Sequence, residues 1–200
     1  METKQQIRKR HLRNRNLMPQ EERQKWSGCI CQHLIEYFTQ TQIWEKCVIY
    51  GYYPHKSEVS LMELFQWLFT KKAFLAFPRV SGDTMEFYRV SSMADFCPGA
   101  FGIMEPSAGC EKAGKGQAVC LVPGSVFDRS GNRYGYGKGY YDRYFSGKRE
   151  LYRIGTAFGS QVEEAVPSED CDVKMHALVT ERGITFFENG EEKHGFIRNL

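Results

Sequence analysis

The stretch AVCLVPGSVFDRSGNRYGYGKGYYDRYF, residues 118–145, joins an apolar segment to a glycine-rich loop and a helical pattern. Its first seven residues, 118–124, carry no charged or amide side chain, which is typical of a strand buried on both faces of a sheet. Glycines then recur at every second position, and a helix is expected to begin near Lys138. The order of strand, loop and helix predicts one unit of a parallel α/β sheet.

The rest of the chain repeats this alternation of strands and helices. Helices are predicted at 4–16, 19–39 and 57–72, the last with Ser57 as its N-cap. Strands are predicted at 47–53, 73–80, 85–90, 118–124, 151–158, 176–181 and 183–190, and residues 91–117 are expected to form a loop. The central strands are apolar throughout, so we expect a mostly parallel sheet with helices on both faces.

Composition is that of an ordinary globular protein. The 200 residues suit a single domain over 1–200, which includes a basic helical arm at 1–16. The formal net charge is +3, no run of 18 apolar residues occurs, and the first residues lack the apolar core of a secretory signal. Seven irregularly spaced cysteines are expected to be reduced thiols of a cytoplasmic protein, with no membrane partner.

The glycine loop has the chemistry of an anion site. In parallel sheets, ligands bind beyond the carboxyl ends of the strands, where the loops after 47–53 and 118–124 leave the sheet. Glycines allow backbone N–H groups to approach a phosphate, and Lys138 adds a mobile ammonium. Asp142 lies one helical turn further and can hold a metal ion, because Mg²⁺ takes one or two carboxylates together with phosphate oxygens.

Known phosphate motifs do not match this loop. No Ser or Thr follows Lys138, so the loop is not a Walker sequence, and the glycine triplet of dinucleotide-binding folds is missing. The upstream turn FDRSGNR, residues 127–133, suits a ligand loop and a purely structural turn equally. From the residues alone, a phosphate site and a structural turn both remain open.

The complete run PGSVFDRSGNRYGYGKGYYDRYF, residues 123–145, resembles the signature of the 5-formyltetrahydrofolate cyclo-ligase (5,10-methenyltetrahydrofolate synthetase) family. That signature is a strand, a phenylalanine-aspartate turn, arginine and leucine, three alternate glycines, two tyrosines and an aspartate. Tyr134 stands where leucine is usual. The segments YYPHKSEVSL (52–61) and VPSEDCDVKMHALVTERG (166–183) are similar to further family segments, so the resemblance spans essentially the whole chain.

The resemblance implies a fold, an activity and a site. The fold is a three-layer α/β/α sandwich like that of sugar-phosphate isomerases and CoA-transferases. The implied enzyme uses ATP as co-substrate and Mg²⁺ to convert 5-formyltetrahydrofolate to 5,10-methenyltetrahydrofolate, ADP and phosphate, through phosphorylation of the formyl oxygen. The implied catalytic residues are Lys138 and Arg133. The implied ATP-binding residues are Lys4, Arg8, Arg133, Tyr134, Gly135, Tyr136, Gly137, Lys138, Gly139, Tyr140 and Tyr141.

The folate and the metal have implied residues of their own. Tyr53, Glu58 and Tyr140 are expected to bind the folate, since a carboxylate can accept hydrogen bonds from pterin N–H groups. Asp142 and Asp172 are expected to hold magnesium. His176 stands where many family members have a second aspartate, and it is assigned no role.

Two other functions are compatible with parts of the sequence. The dense arginines of residues 4–15 suit a nucleic-acid-binding arm, although acidic and basic residues balance elsewhere and no RNA-binding motif occurs. A sugar-phosphate isomerase or acyltransferase on the same architecture would bind phosphate without ATP turnover. We expect a monomer with small-molecule substrates and no nucleic-acid partner.

Overall fold

A computed structural model of the chain describes residues 2–114, 116–148, 150–169 and 172–187. Cys171 and the last three residues of the predicted strand 183–190 lie outside these ranges. The six described cysteines form no disulfide, in line with the expected reduced thiols. No helix among the described residues is long and apolar enough to cross a bilayer.

The helices are α1 (Lys4–Leu17), α2 (Gln20–Thr41), α3 (Met62–Thr70) and α4 (Tyr140–Phe145). Helix α2 begins after Pro19, carries two glutamates in its first turn, and ends at Gln42 in the left-handed conformation. The predicted helix 57–72 begins only at Met62. The predicted N-cap Ser57 instead accepts a hydrogen bond from Arg15, and Val59 is buried in the core, so this segment stays non-helical.

The described residues contain twelve strands. They are β1 (Val48–Tyr50), β2 (Leu75–Ser81), β3 (Thr84–Val90), β4 (Phe96–Pro98), β5 (Met104–Pro106), β6 (Ala118–Pro123), β7 (Val126–Asp128), β8 (Arg133–Tyr134), β9 (Leu151–Thr156), β10 (Val162–Glu163), β11 (Ala177–Thr180) and β12 (Gly183–Phe186). The hairpin β4–β5 lies inside the predicted loop 91–117, and β7 and β8 lie inside the predicted turn 127–133 or beside it. All are two or three residues long, too short to produce a detectable alternation.

Seven strands form the main sheet in the order β12-β11-β9-β6-β1-β2-β3. The pairs between β11, β9, β6, β1 and β2 are all parallel, whereas β3 and β12 add antiparallel edges. The predicted mostly parallel sheet is therefore confirmed. A second sheet, β10-β7-β8, lies beyond the carboxyl end of β6 and leads into the glycine loop.

Apolar side chains cover both faces of the main sheet. On one face, Ile30, Leu34 and Phe38 of α2 and residues of α3 pack in one cluster with apolar residues of β1, β6, β9 and β11. On the other face, Phe127 and Phe145 join a second cluster, with tyrosines of α4 against it. Fully burying one such side chain contributes about 1.5–3 kcal/mol, so the two clusters fix the three layers.

Helix α1 is docked on the end of the sheet. Its buried residues Ile7, His11 and Arg15 recur every fourth position and therefore share one face. Ile7 packs with residues of β7, β8 and the segment before Pro167. His11 contacts the Glu163 carboxylate at 2.7 Å and the Ser160 carbonyl oxygen at 3.1 Å. The basic segment is thus a packed helix that contributes its side chains to the carboxyl edge of the sheet.

Candidate active site

A cavity of about 850 Å³ opens between α1, the loop after β8, α4 and the residues Glu169, Asp172 and Val173. Its described wall is strongly basic. Three carboxylates line it: Asp142, Glu169 and Asp172. Six cationic side chains line it: Lys4, Arg8, Arg133, Arg143, Lys148 and Arg153. This excess of positive charge in a partly enclosed space favours a polyanion such as a triphosphate.

The glycine loop forms one wall of the cavity through Gly135, Gly137 and Gly139. Gly137 has φ 90° and Gly139 has φ 66°, a region that L-residues with a side chain rarely adopt. The carbonyl oxygen of Gly135 accepts a hydrogen bond from Arg8 Nε at 2.8 Å. The loop therefore lines the cavity, and α1 is hydrogen-bonded directly to it.

Arg133 and Asp142 form an ion pair at the base of this loop. The buried Arg133 guanidinium donates to both Asp142 oxygens, at 3.1 and 3.2 Å, and to the Pro123 carbonyl oxygen at 3.2 Å. Its Nε is buried and has no hydrogen-bond partner among the described residues. Lys138 is exposed between two glycines that line the cavity, and it makes no ion pair with any residue that the structure describes.

Lys4 and Asp172 form a second ion pair across the cavity. Lys4 Nζ lies 2.7 Å from Asp172 Oδ2 and 3.4 Å from Glu169 Oε1. Burial alone would lower the pKa of Lys4, but the hydrogen bond and charge of Asp172 raise it overall. Lys4 and Arg8, four residues apart on α1, both lie over the ring of Tyr134, at 5.1 and 5.9 Å. Tyr134 itself is buried, and the face of its ring contacts both cations.

The two carboxylates expected to hold magnesium line the same cavity, and each is already bonded to a cation. No group of three or more His, Cys, Asp or Glu side chains among the described residues is arranged to hold a metal by itself. Mg²⁺ usually keeps several waters and takes one or two carboxylates plus phosphate oxygens. Asp142 and Asp172 fit such a shared coordination, in which the nucleotide supplies the remaining oxygens.

Glu58 lies at the opposite end of α1, beside the glycine loop. It accepts a hydrogen bond from the His55 backbone N–H at 2.8 Å, and the Tyr136 hydroxyl lies close enough to favour its ionised form. Burial raises its pKa above 4.5, although these contacts and the Arg15 charge act against that rise. Arg15 Nη1 donates to the Tyr136 hydroxyl at 2.9 Å. Tyr136, predicted to bind ATP, thus lies with its hydroxyl near the residue predicted to bind folate.

The remaining predicted tyrosines have separate environments. Tyr53 is half-buried, with its ring edge-on to Phe96 at 5.3 Å. The Tyr140 hydroxyl donates to the Gly82 carbonyl oxygen at 3.0 Å, in the turn between β2 and β3. Tyr141 packs against the second apolar cluster, with the Arg133 guanidinium 5.4 Å from its ring centre, and burial raises its pKa. Of the adjacent pair, Tyr141 is therefore the core residue.

Sequence reasoning missed several charged residues of the site. Arg15 had a detectable signal, because it continues the four-residue spacing of Ile7 and His11 on one face of α1. Lys148, Arg153 and Glu169 line the cavity from separate segments and belong to no local motif. His176, which was assigned no role, is buried and stacks on Tyr152 at 5.0 Å between ring centres.

The parallel sheet and the basic, glycine-lined cavity beyond its strand ends define an α/β protein of the phosphate- or nucleotide-binding kind. Within that class, the sequence profile of the 5-formyltetrahydrofolate cyclo-ligase family matches residues 1–181. The chain belongs to this family, as the resemblance of its glycine loop predicts.

Individual relatives agree with the family match. A Schizosaccharomyces pombe protein named "probable 5-formyltetrahydrofolate cyclo-ligase" is 28% identical over 171 residues, which cover 76% of this chain and 81% of the relative. The NMR structure of Aquifex aeolicus 5,10-methenyltetrahydrofolate synthetase is 34% identical and superimposes with a TM-score of 0.80 over 92% of this chain and 93% of that one. A Mycoplasma pneumoniae 5,10-methenyltetrahydrofolate synthetase has the same fold, at TM-score 0.72 and 23% identity over 90% and 99% of the two chains.

Proposed function

We propose that this enzyme converts 5-formyltetrahydrofolate and ATP to 5,10-methenyltetrahydrofolate, ADP and phosphate, in a reaction that requires Mg²⁺. The observation that carries the proposal is one cavity that unites the glycine loop with Lys4 and Arg8 of α1 and with the carboxylates Asp142 and Asp172. A member of this family with that set of charges has what a metal-bound triphosphate requires.

The chemistry explains why ATP is needed. A formamide carbonyl is a poor electrophile, because its nitrogen donates electron density into it. In the proposed sequence, the formyl oxygen attacks the γ-phosphorus and the bond from that phosphorus to the β-phosphate oxygen breaks, which releases ADP. The neighbouring folate nitrogen then attacks the formyl carbon and loses its proton. Phosphate leaves with the former formyl oxygen, and the methenyl ring remains.

The protein's task in this sequence is to align the reactants and neutralise phosphate charge. Arg133, paired with Asp142, lines the cavity and adds positive charge there, and Lys138 is exposed and free to approach the transferring phosphoryl group. Lys4 and Arg8 supply further charge from α1. Asp142 and Asp172 would hold Mg²⁺, which would supply positive charge to offset that of the phosphates.

The folate is proposed to bind beside Glu58, with Tyr53 and Tyr140 as further contacts. Glu58 is surrounded by donors and largely screened from water, so a pterin that offers N–H groups would replace or add to its present partners. Its raised pKa reflects an environment in which an ionised carboxylate gains from additional hydrogen-bond donors. Binding there places the folate next to the glycine loop through Tyr136.

The direct test is absorbance near the methenyl-folate band after the protein is mixed with 5-formyltetrahydrofolate, ATP and Mg²⁺. We expect the absorbance to grow only when all three are present, with one ADP released for each methenyl group formed. A flat trace from folded protein that still binds ATP would contradict the proposal. Phosphate-ester binding without ATP turnover would instead favour an isomerase or acyltransferase on the same architecture.

We also propose that the enzyme acts as a cytoplasmic monomer without nucleic-acid partners. The basic residues of α1 support the last point, because Lys4, Arg8 and Arg15 are turned into the protein and bonded there. Sedimentation should give the mass of one chain, and binding to duplex DNA or RNA should be negligible at physiological salt.

A further inference from the structure

Arg153 is a buried cation in the wall of the nucleotide cavity. It lies in the middle of β9, a central strand whose six residues are all buried, and it is 8% exposed. Its neighbour across the sheet in β6 is Cys120, and its guanidinium lies 5.5 Å from the ring centre of Phe145. An arginine in such a strand is unusual, since charged residues are rarely buried unless they are paired.

The described partners of Arg153 are all uncharged acceptors or an imidazole. Nε donates to the Lys174 carbonyl oxygen at 2.9 Å, Nη1 approaches the Leu151 carbonyl oxygen at 3.4 Å, and Nη2 lies 3.0 Å from His176 Nε2. A guanidinium has five N–H donors, so these contacts leave donors to spare. No carboxylate that the structure describes lies within ion-pair distance of Arg153.

This lack of a carboxylate distinguishes Arg153 from the buried Arg133 and the half-buried Lys4 of the same cavity. Lys4 is paired with Asp172, and Arg133 is paired with Asp142. Arg143 and Lys148 line the wall near Arg153, and no described carboxylate pairs with either one. Of the four cavity cations without a described counter-ion, three lie on the side formed by β9 and the end of α4, and the fourth, Arg8, lies on α1.

Desolvation makes that arrangement costly while the cavity holds only water. Burial lowers the pKa of Arg153, as expected for a charged group removed from solvent without a nearby anion. Part of this cost is recovered when an anion with good geometry enters. The phosphoryl group with the largest negative charge, the terminal one, gains most from this position.

We propose that Arg153 binds the terminal phosphoryl group of the nucleotide, and then the phosphate formed from it, with the Lys174 carbonyl group holding its guanidinium in place. The identity of the anion rests on the proposed function, whereas the presence of an anion site rests only on the geometry of Arg153. A carboxylate of the folate's glutamate moiety shares this chemistry and is the alternative source that the experiment must separate.

The test compares the binding of Mg·ATP, Mg·ADP and 5-formyltetrahydrofolate, each alone, to the wild-type chain and to Arg153→Gln by titration calorimetry. Loss of a charge-assisted contact should weaken ATP binding by about 10- to 100-fold, while ADP and folate affinities change by less than about threefold. Equal losses for ATP and ADP, no loss for either, or a loss confined to the folate would each overturn the proposal. Arg182→Gln, at an exposed arginine far along the chain, is the matched control.

Two further measurements keep the proposal falsifiable if Arg153→Gln does not fold. Arg153→Lys preserves the charge but offers fewer, differently placed donors, so it should show an intermediate preference for ATP over ADP. Inorganic phosphate should also raise the melting temperature of the wild-type chain more than that of Arg153→Lys, and an equal rise would count against the site. These readouts need no turnover. If the methenyl product does not form, the proposed function is contradicted. The anion site at Arg153 is still decided by the binding and melting-temperature measurements.

Discussion

At the residue scale, the cavity joins cations expected to bind phosphate to carboxylates expected to hold magnesium. The pairs are Lys4 with Asp172 and Arg133 with Asp142. Each pair keeps two buried charges compensated before any substrate arrives, which avoids the penalty of an isolated buried ion. If a metal-bound nucleotide enters, the cation of each pair can bind a phosphate oxygen instead. The carboxylate of the pair can then bind the metal ion.

Lys138 is the residue whose removal should affect only catalysis. It is exposed on the glycine loop and bonded to no described carboxylate, so Lys138→Ala should leave the melting temperature nearly unchanged. Loss of its ammonium from the transferring phosphoryl group should lower kcat by at least about 100-fold. The methenyl absorbance assay measures this effect, with Lys25→Ala on exposed α2 surface as the control. Unchanged kinetics would remove Lys138 from the site.

Glu58→Gln should separate the two substrates. A glutamine cannot accept as strongly from pterin N–H groups, so the KM for 5-formyltetrahydrofolate should rise by about tenfold or more while the KM for ATP changes little. Steady-state kinetics with each substrate varied in turn gives both values. Equal increases for the two substrates would indicate a general disturbance of the fold, and Glu45→Gln at an exposed position supplies the comparison.

The same substitution should stabilise the ligand-free protein at neutral pH. The folded-state pKa of Glu58 is raised by burial, so the ionised carboxylate costs stability above that pKa, whereas the protonated form below pH 4.5 does not. Glu58→Gln should therefore raise the free energy of unfolding at pH 7, and this gain should vanish as the pH falls toward 4.5. Urea denaturation at several pH values tests the sign. A loss of stability at pH 7 would show that its hydrogen bonds outweigh its desolvation.

At the element scale, α1 is the part of the fold that the sequence described least well. Its helical content and the four-residue spacing of Lys4 and Arg8 were predictable, because both are local. Its docking was not, since the buried face of Ile7, His11 and Arg15 is mostly polar and produces no apolar periodicity. The late start of α3 has a similar cause: Ser57 pairs with Arg15, 42 residues earlier in the chain.

The contact of α1 with Glu163 should be sensitive to pH. Hydrogen bonds from His11 and Arg10 lower the pKa of Glu163, so its contribution to stability is present above pH 4.5 and is lost as the pH falls through the lower, folded-state value. Glu163→Gln should reduce the free energy of unfolding at pH 7 by no more than about 1 kcal/mol, because the carboxylate is partly exposed. Glu164→Gln, at the adjacent exposed carboxylate, should have no such effect in urea denaturation.

At the scale of the whole molecule, the parallel sheet was predictable because its central strands are continuous apolar runs. The strand order and the second sheet were not, since they depend on contacts such as that of Phe127 with β9. Similarly, the glycine loop and its charges could be recognised within one stretch of sequence. Arg153 and Lys148 reach the cavity only through the folding of distant segments.

Gly155 marks the place where the two sheets meet. A Cβ added there would lie 2.5 Å from Phe127 Cε1 and 3.1 Å from Leu178 Cδ1, so the ring would have to move. Gly155→Ala should lower the free energy of unfolding by about 1–3 kcal/mol, the usual cost of overpacking a core. Urea denaturation measures it, with Gly109→Ala as the control because a Cβ there meets nothing within 4 Å. Equal stability of the two variants would show that the ring has room to move.

Helix α1 bonds at one end to residues around the nucleotide cavity, through Lys4 and Arg8, and at the other end to Tyr136 and Ser57 beside Glu58. If the two proposed substrates bind at these two ends, a rigid element shared in this way makes their binding thermodynamically linked. If nucleotide binding settles α1 in one position, the folate meets an already ordered pocket and binds more tightly. Linkage then requires the folate to increase nucleotide affinity by the same factor, so each substrate reports on the presence of the other.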